Sequence, residues 1–106
     1  MNHGLPERTM NILFSIFHKY QGIQQVILYG SRAMGNHKNG SDIDITLKVD
    51  NSFTRTDLLH IAGDLDDSNI PYLVDVCIYE TLTNPDLKEH IDRVGKIIYI
   101  NTVIIS

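Results

Sequence analysis

Residues 30–44 read GSRAMGNHKNGSDID, and this stretch decides how the chain folds. The preceding run, residues 23–29, carries three consecutive apolar residues at 26–28, which favours a strand buried on both faces. Residues 42–49 instead alternate polar and apolar side chains, as a half-buried strand does. Between the two strands, residues 30–40 are small, polar and rich in glycine. The sequence therefore predicts strand, loop or short helical turn, strand, with one polar face on the second strand.

Asp42 and Asp44 lie on that polar face. One residue separates them, so in a strand their Cα atoms are roughly 6–7 Å apart and both side chains point the same way. Two carboxylates this close repel each other, and burying either one unpaired is costly. A Mg²⁺ ion resolves the conflict, because it prefers oxygen ligands and is often held by one or two carboxylates plus substrate phosphates. The alternative is a solvated polar strand face.

Asp75 is the predicted third carboxylate. It alone interrupts the apolar run YLVDVCI at residues 72–78, where an acid needs a partner to be tolerated. If this third strand lies beside the strand of Asp42 and Asp44, all three carboxylates can hold two Mg²⁺ ions, an arrangement suited to in-line displacement. Asp75 would then also accept the proton of an attacking hydroxyl. An ordinary surface or ion-paired acid is the alternative for Asp75.

Gly30 and Ser31 are candidates for binding a phosphate group. Glycine lets the backbone approach a phosphate closely, and Ser31 offers a hydroxyl and an N–H group. Arg32 and Lys48 are candidates for neutralising a triphosphate or the leaving pyrophosphate. The alternatives are a turn or helix-cap serine at Ser31 and ordinary exposed basic residues at Arg32 and Lys48. No Walker-type phosphate loop is present in the sequence.

Three helices are predicted around these strands. Helical spacing of apolar residues begins near Pro6 and ends at Gly22, a capping box of Thr54 and Asp57 starts a second helix, and Asn84 with a following proline starts a third that ends at Gly95. Residues 96–106 form either a last strand or a surface for a partner. We therefore expect an α/β (α+β) fold in one domain, residues 1–106, with a small mixed β-sheet flanked by helices.

Composition limits the possible functions. The 106 residues carry nine Lys and Arg against thirteen Asp and Glu, a net charge of -4, which argues against a general nucleic-acid binder. The single cysteine, Cys77, excludes an internal disulfide and favours a reducing compartment. We find no signal peptide or membrane-spanning run, so we expect a cytoplasmic protein. The five histidines are dispersed without the spacing of zinc ligands.

The Gly-Ser pair, ten intervening residues and the Asp-x-Asp of Asp42 and Asp44 resemble the signature of the DNA polymerase β-like nucleotidyltransferase superfamily. In particular, residues 30–35 with residues 41–44 look like the minimal nucleotidyltransferase family, which includes MntA-type antitoxins. The resemblance extends from the first helix to about residue 99. It implies the palm-like nucleotidyltransferase fold, Mg²⁺ bound by Asp42, Asp44 and Asp75, and nucleotide phosphate bound by Gly30 and Ser31.

The resemblance also implies an activity and a partner. Members of this family transfer a nucleoside monophosphate, here expected to be AMP from ATP, and release pyrophosphate. Minimal members are commonly paired with a small all-helical HEPN-type protein, and in toxin–antitoxin pairs the antitoxin adenylylates the toxin on tyrosine. We therefore expect a homo- or hetero-oligomer. Two alternatives stay open: a non-catalytic module that neutralises a helical partner by binding it, and a core active only when its partner supplies acceptor-side contacts.

Overall fold

Four helices alternate with four strands within residues 5–36 and 42–101, which are the residues that the computed structural model describes. In chain order these elements are α1 (Glu7–Phe17), β1 (Ile23–Tyr29), α2 (Gly30–Met34), β2 (Ile43–Val49), α3 (Arg55–Asp67), β3 (Val74–Ile78), a 3₁₀ turn (Tyr79–Thr81), α4 (Pro85–Val94) and β4 (Lys96–Ile100). Ser41 and residues 102–106, which the sequence analysis included, lie outside the described residues. Within these residues no helix combines the length and apolarity that crossing a membrane requires.

The strands form one mixed sheet in the order β3-β2-β1-β4. β1 pairs antiparallel with both β2 and β4, whereas β2 and β3 are parallel. A parallel pair needs a crossover connection, and α3 provides it between β2 and β3. The predicted small mixed sheet flanked by helices is confirmed.

The alternation predicted for β2 separates the two faces of the sheet. Ile43, Ile45 and Leu47 are fully buried in the core that α1 and α3 cover. Their neighbours Asp44 and Lys48 point to the opposite face and are only partly buried. β1 is buried on both sides at residues 26–28, as its continuous apolar run predicted.

Two predicted boundaries differ from the structure. α1 ends at Phe17, well before Gly22, and a turn follows in which Tyr20 donates a hydrogen bond of 2.6 Å to Asp64 on α3. β3 begins at Val74 and not at residue 72. Leu73 nonetheless accepts a hydrogen bond from the backbone of Ile43 at 2.8 Å, so the pairing with β2 begins one residue before β3.

α4 covers part of the polar face next to β1, where Gly95 comes close to the side chain of Ile27. Its N-terminus is capped by Asn84, whose Oδ1 accepts hydrogen bonds from the backbones of Asp86 and Leu87 at 2.9 and 3.4 Å. The predicted cap is therefore confirmed. The helix is held to the sheet by Ile91, which is 2% exposed.

We expect Asn84→Ala to lower the free energy of unfolding by about 1 kcal/mol, because two backbone N–H groups of α4 lose their acceptor. Urea unfolding followed by circular dichroism measures the change. Thr83→Ala, in the same exposed loop, is the matched control and should leave the unfolding midpoint within the experimental error. An Asn84→Ala midpoint equal to that of Thr83→Ala would show that this cap does not stabilise α4.

Candidate active site

Asp44 and Asp75 meet across the parallel pair of β2 and β3. They are direct register partners, so their strands place them about 4.8 Å apart with both side chains on the polar face. Asp44 is half-buried, whereas Asp75 is exposed because β3 is an edge strand of the sheet. The condition stated for Asp75, that its strand lies beside the strand of Asp44, is therefore met.

Asp42 adds a third negative charge to this pair. It lies one residue before β2, exposed to solvent. The pKa of Asp44 is raised, mainly by burial of its carboxyl group and further by repulsion from Asp75 and then Asp42, while His90 acts in the opposite direction. Asp75 and Asp42 therefore both disfavour the negative charge of Asp44, a repulsion that a cation would relieve.

Gly30 lies directly against the carboxylate of Asp44. The end of β1 reaches this position because Tyr29 is the register partner of Asp44 on β2. Gly30 has a φ of 75°, in the left-handed region that favours glycine, and a Cβ atom placed there would stand 2.5 Å from Asp44 Oδ2. The absence of a side chain at Gly30 is therefore what allows the turn and the carboxylate to approach each other.

Ser31 and Arg32 follow Gly30 on the short helix α2. Ser31 is partly buried, and its carbonyl accepts a hydrogen bond from the backbone of Asn36 at 3.1 Å. Arg32 is only 3% exposed, and its guanidinium carbon lies 4.6 Å from the centre of the Tyr72 ring. A cation–π contact thus contributes to holding Arg32 in place. Burial this complete distinguishes Arg32 from an ordinary exposed arginine.

Lys48 is not brought to the carboxylates. It lies four residues after Asp44 along β2, which corresponds to roughly 13 Å. Its Nζ stands 4.6 Å from the centre of the Tyr79 ring, and the Nζ of Lys88 stands 5.1 Å from the same ring. Lys48 therefore shares the polar face with Asp44 but lies beside the Tyr79 ring, which Lys88 also contacts.

His90 is a site residue that the sequence analysis missed. Its Nε2 accepts a hydrogen bond of 3.2 Å from the backbone N–H of Gly30, and its ring meets the ring of Tyr29 edge-on, with 6.2 Å between the centres. The available signal was helical spacing: His90 lies three residues after Leu87 and immediately before the buried Ile91, on the inward side of α4. Because the five histidines are dispersed along the sequence, their spacing did not indicate that the fold brings His90 to the turn at Gly30.

Tyr29 and Cys77 form the polar contact beneath the carboxylates. The Tyr29 hydroxyl and Cys77 Sγ are 3.7 Å apart, and Cys77 Sγ lies 3.3 Å from the hydroxyl of Thr46. Burial, followed by the contact with Cys77, raises the pKa of Tyr29. Tyr29 is therefore neutral at physiological pH and adds no negative charge to the cluster.

The carboxylates fit a magnesium ion in their donor chemistry. Within the described ranges, no three or more His, Cys, Asp or Glu side chains are gathered at metal-binding distance. Mg²⁺ does not require such a cage, since it usually keeps several waters and takes one or two carboxylates together with substrate phosphates. Asp44 with Asp75 or Asp42 supplies that number of oxygen ligands, next to a glycine turn open to a phosphate.

Several solved structures that share this fold are toxin–antitoxin complexes. One such complex with AMP-PNP has a TM-score of 0.70 at 20% identity, covering 88% of this chain and 74% of that chain. A tri-AMPylated Shewanella oneidensis HEPN toxin in complex with its MNT antitoxin gives 0.65 at 18% identity, covering 90% and 72%. An MntA–HepT toxin–antitoxin complex gives 0.57 at 19% identity, covering 91% and 74%. At these identities the likeness shows a shared fold.

The sequence comparison shows the family. No curated protein matches the chain. Residues 11–102, which include Gly30, Asp44 and Asp75, match the family described as Polymerase beta, Nucleotidyltransferase. With that match over most of its length, and with a fold shared with MNT antitoxins found in complexes with HEPN toxins, the chain belongs to the polymerase beta nucleotidyltransferase family.

Proposed function

We propose that this domain is a magnesium-dependent transferase that moves AMP from ATP to a hydroxyl group of a helical HEPN-type partner, as the antitoxin of a toxin–antitoxin pair. One observation carries the proposal: Asp44 and Asp75 are register partners on adjacent parallel strands, with Gly30 against the Asp44 carboxylate. Family membership supports nucleotidyl transfer, and the complexes with AMP-PNP and with a tri-AMPylated toxin among the fold neighbours support the donor and the partner.

Asp42, Asp44 and Asp75 would hold the magnesium, as one ion or two. When bound, magnesium neutralises charge on the phosphates and on the leaving pyrophosphate. The raised pKa of Asp44 supports this assignment, because burial and two neighbouring carboxylates disfavour its negative charge in the absence of a cation. Perturbed pKa values of this kind cluster at functional sites, and a bound cation would relieve the repulsion from Asp75 and Asp42.

Besides holding the cation, the residues of the site bind the phosphates and accept a proton. Gly30 and Ser31 bind the phosphates through backbone N–H groups and the Ser31 hydroxyl. The acceptor oxygen forms a bond to the α-phosphorus, the bond from that phosphorus to the oxygen bridging to the β-phosphate breaks, and pyrophosphate leaves. Asp75 accepts the acceptor's proton, a role that its exposure on an edge strand suits because the partner must reach it.

Arg32 and Lys48 are the proposed sources of positive charge. Arg32 is next to Ser31, so its buried guanidinium raises the local potential at the phosphate turn. Lys48 would have to leave the Tyr79 ring and extend along the polar face to reach a phosphate or pyrophosphate. Its role as a neutraliser stays a prediction that depends on that movement.

The test is incubation of the chain and its co-purifying helical protein with Mg²⁺ and ATP, CTP, GTP or UTP labelled at the α-phosphate. We expect label on the helical protein, most strongly from ATP, and none after chelation of the metal. ATP labelled at the γ-phosphate should leave no label, because that phosphate departs in pyrophosphate. Transfer of the γ-label would identify phosphoryl transfer and overturn the proposal.

A double variant separates the effect of catalysis from the effect of partner binding. Asp42→Asn combined with Asp44→Asn should abolish labelling, whereas Asp67→Asn, an exposed acid at the end of α3, should not. If the double variant still binds the partner but no longer neutralises it, transfer is the function. Full neutralisation by the unlabelled double variant would instead establish the non-catalytic binding module.

A further inference from the structure

The hydrogen bond from Gly30 to His90 occupies the backbone donor of Gly30, one of the donors that the glycine turn offers to a phosphate. The distance from Gly30 N to His90 Nε2 is 3.2 Å, so Nε2 carries no proton and accepts. A backbone N–H has a single hydrogen and makes one well-aligned hydrogen bond. A phosphate oxygen that takes this hydrogen must therefore replace the imidazole.

The backbone of α4 next to His90 is held in place by packing and by a hydrogen bond. Ile91, the next residue of α4, is 2% exposed, and Tyr79 donates a hydrogen bond of 2.9 Å to Asp92 on the same helix. The His90 ring is also placed edge-on against Tyr29. The backbone of α4 is thus anchored directly after His90, while the imidazole itself can turn away by rotating about its side-chain bonds.

The position of His90 coincides with the place where a nucleotide phosphate would bind. Gly30 lies against the Asp44 carboxylate and also hydrogen-bonds His90 Nε2, so the carboxylate and the imidazole both border this glycine. An anion held between Gly30 and a cation at Asp44 would occupy the volume next to Nε2. His90 therefore satisfies the Gly30 N–H group, which would otherwise be left without an acceptor inside the half-buried turn.

We propose that His90 is a stand-in for nucleotide phosphate: it accepts the Gly30 N–H in the nucleotide-free chain and is displaced when a nucleoside triphosphate binds. This inference rests on the proposed function, since it assumes phosphate at Gly30. It makes His90 a residue that sets nucleotide affinity without contacting the reacting atoms. The contact keeps the turn in its binding conformation and competes with the ligand.

Competition predicts the direction of a mutational effect. His90→Ala removes the competitor, so a non-hydrolysable ATP analogue with Mg²⁺ should bind between about twofold and tenfold more tightly by isothermal titration calorimetry. His90→Gln, which retains an acceptor near the position of Nε2, should bind close to the native affinity. His60→Ala, an exposed histidine on α3, is the control and should not change binding.

A second measurement uses the unchanged chain. In the nuclear Overhauser spectrum, the contact between the Gly30 amide proton and the His90 ring should disappear as the analogue is titrated in. Equal or weaker binding by a folded His90→Ala variant, or persistence of this contact at saturation, would overturn the stand-in role while leaving nucleotide binding intact. If neither the native chain nor any variant binds the analogue, the proposed function fails first and this inference fails with it.

Discussion

Replacement of Asp44 by asparagine is expected to lower the rate of nucleotidyl transfer severely and, at the same time, to make the fold more stable. The loss follows because Asp44 is the half-buried carboxylate between Asp42 and Asp75, the one best placed to hold the cation. A bound metal ion contributes several kcal/mol of charge stabilisation, and each 1.4 kcal/mol is tenfold in rate, so we expect transfer to fall about a thousandfold.

The gain in stability follows from the sign of the pKa change. Because the pKa of Asp44 is raised in the folded chain, first by burial and then by Asp75 and Asp42, its negative charge disfavours folding. The stability that protonated Asp44 gives the folded chain is therefore fully present below the ordinary carboxyl pKa. It is lost as the pH rises through the raised pKa. At neutral pH asparagine removes this cost, and we expect the melting temperature to rise on the order of 2 °C.

Thermal unfolding without Mg²⁺ at several pH values measures this effect. The advantage of Asp44→Asn should shrink as the pH is lowered toward the ordinary carboxyl pKa, because the native carboxyl group then also becomes neutral. Asp67→Asn, at the exposed end of α3, should change neither transfer nor melting temperature. A lower melting temperature for Asp44→Asn at neutral pH would show that Asp44 stabilises the fold and would contradict the picture of a repulsive cluster.

The carboxylate cluster was predictable because the signals behind it are local. Alternation along residues 42–49 assigns Asp42 and Asp44 to one face without any knowledge of the rest of the chain. The interruption of an apolar run singles out Asp75 in the same way. The sequence did not show that β2 and β3 are adjacent. In the fold they pair in parallel, and α3 is the crossover that connects them.

The parts that sequence reasoning missed depend on contacts between distant segments. His90 is sixty residues from Gly30 in the chain, and nothing near it in sequence indicates that α4 packs beside the turn. Arg32 was expected to be exposed or bound to phosphate, since arginine is usually at the surface, but it is buried and contacts Tyr72, forty residues later. Lys48 was assigned to the correct face, and only its distance along the strand separates it from Asp44.

Replacement of Gly30 by alanine is expected to damage both the fold and the activity, and Gly35→Ala should damage only the fold. Both glycines have a positive φ, 75° at Gly30 and 80° at Gly35, so alanine at either position costs about 1 kcal/mol of backbone strain. The surroundings differ: an added Cβ at Gly35 meets nothing within 4 Å, whereas at Gly30 it stands 2.5 Å from Asp44 Oδ2. The pair therefore isolates the contact with Asp44.

For Gly30→Ala the Asp44 carboxylate has to move, which adds about 1–3 kcal/mol of overpacking to the backbone strain. A displacement of about 1 Å in a catalytic group can cost about a hundredfold in rate, so we expect transfer to fall at least that far while Gly35→Ala keeps the native rate. Urea unfolding and the α-label transfer assay measure the two effects. Equal losses of activity in both variants would indicate that backbone strain alone, and not the carboxylate, accounts for the result.

A double-mutant cycle tests the same contact without reference to activity. In an Asp44→Ala background the carboxylate is gone, so Gly30→Ala should cost only the backbone strain that Gly35→Ala also shows. The difference between the cost of Gly30→Ala in the native and Asp44→Ala backgrounds is then the free energy of the steric conflict. If that difference is zero, Gly30 and Asp44 are energetically independent, and the close approach of the turn to the carboxylate has no part in holding the site together.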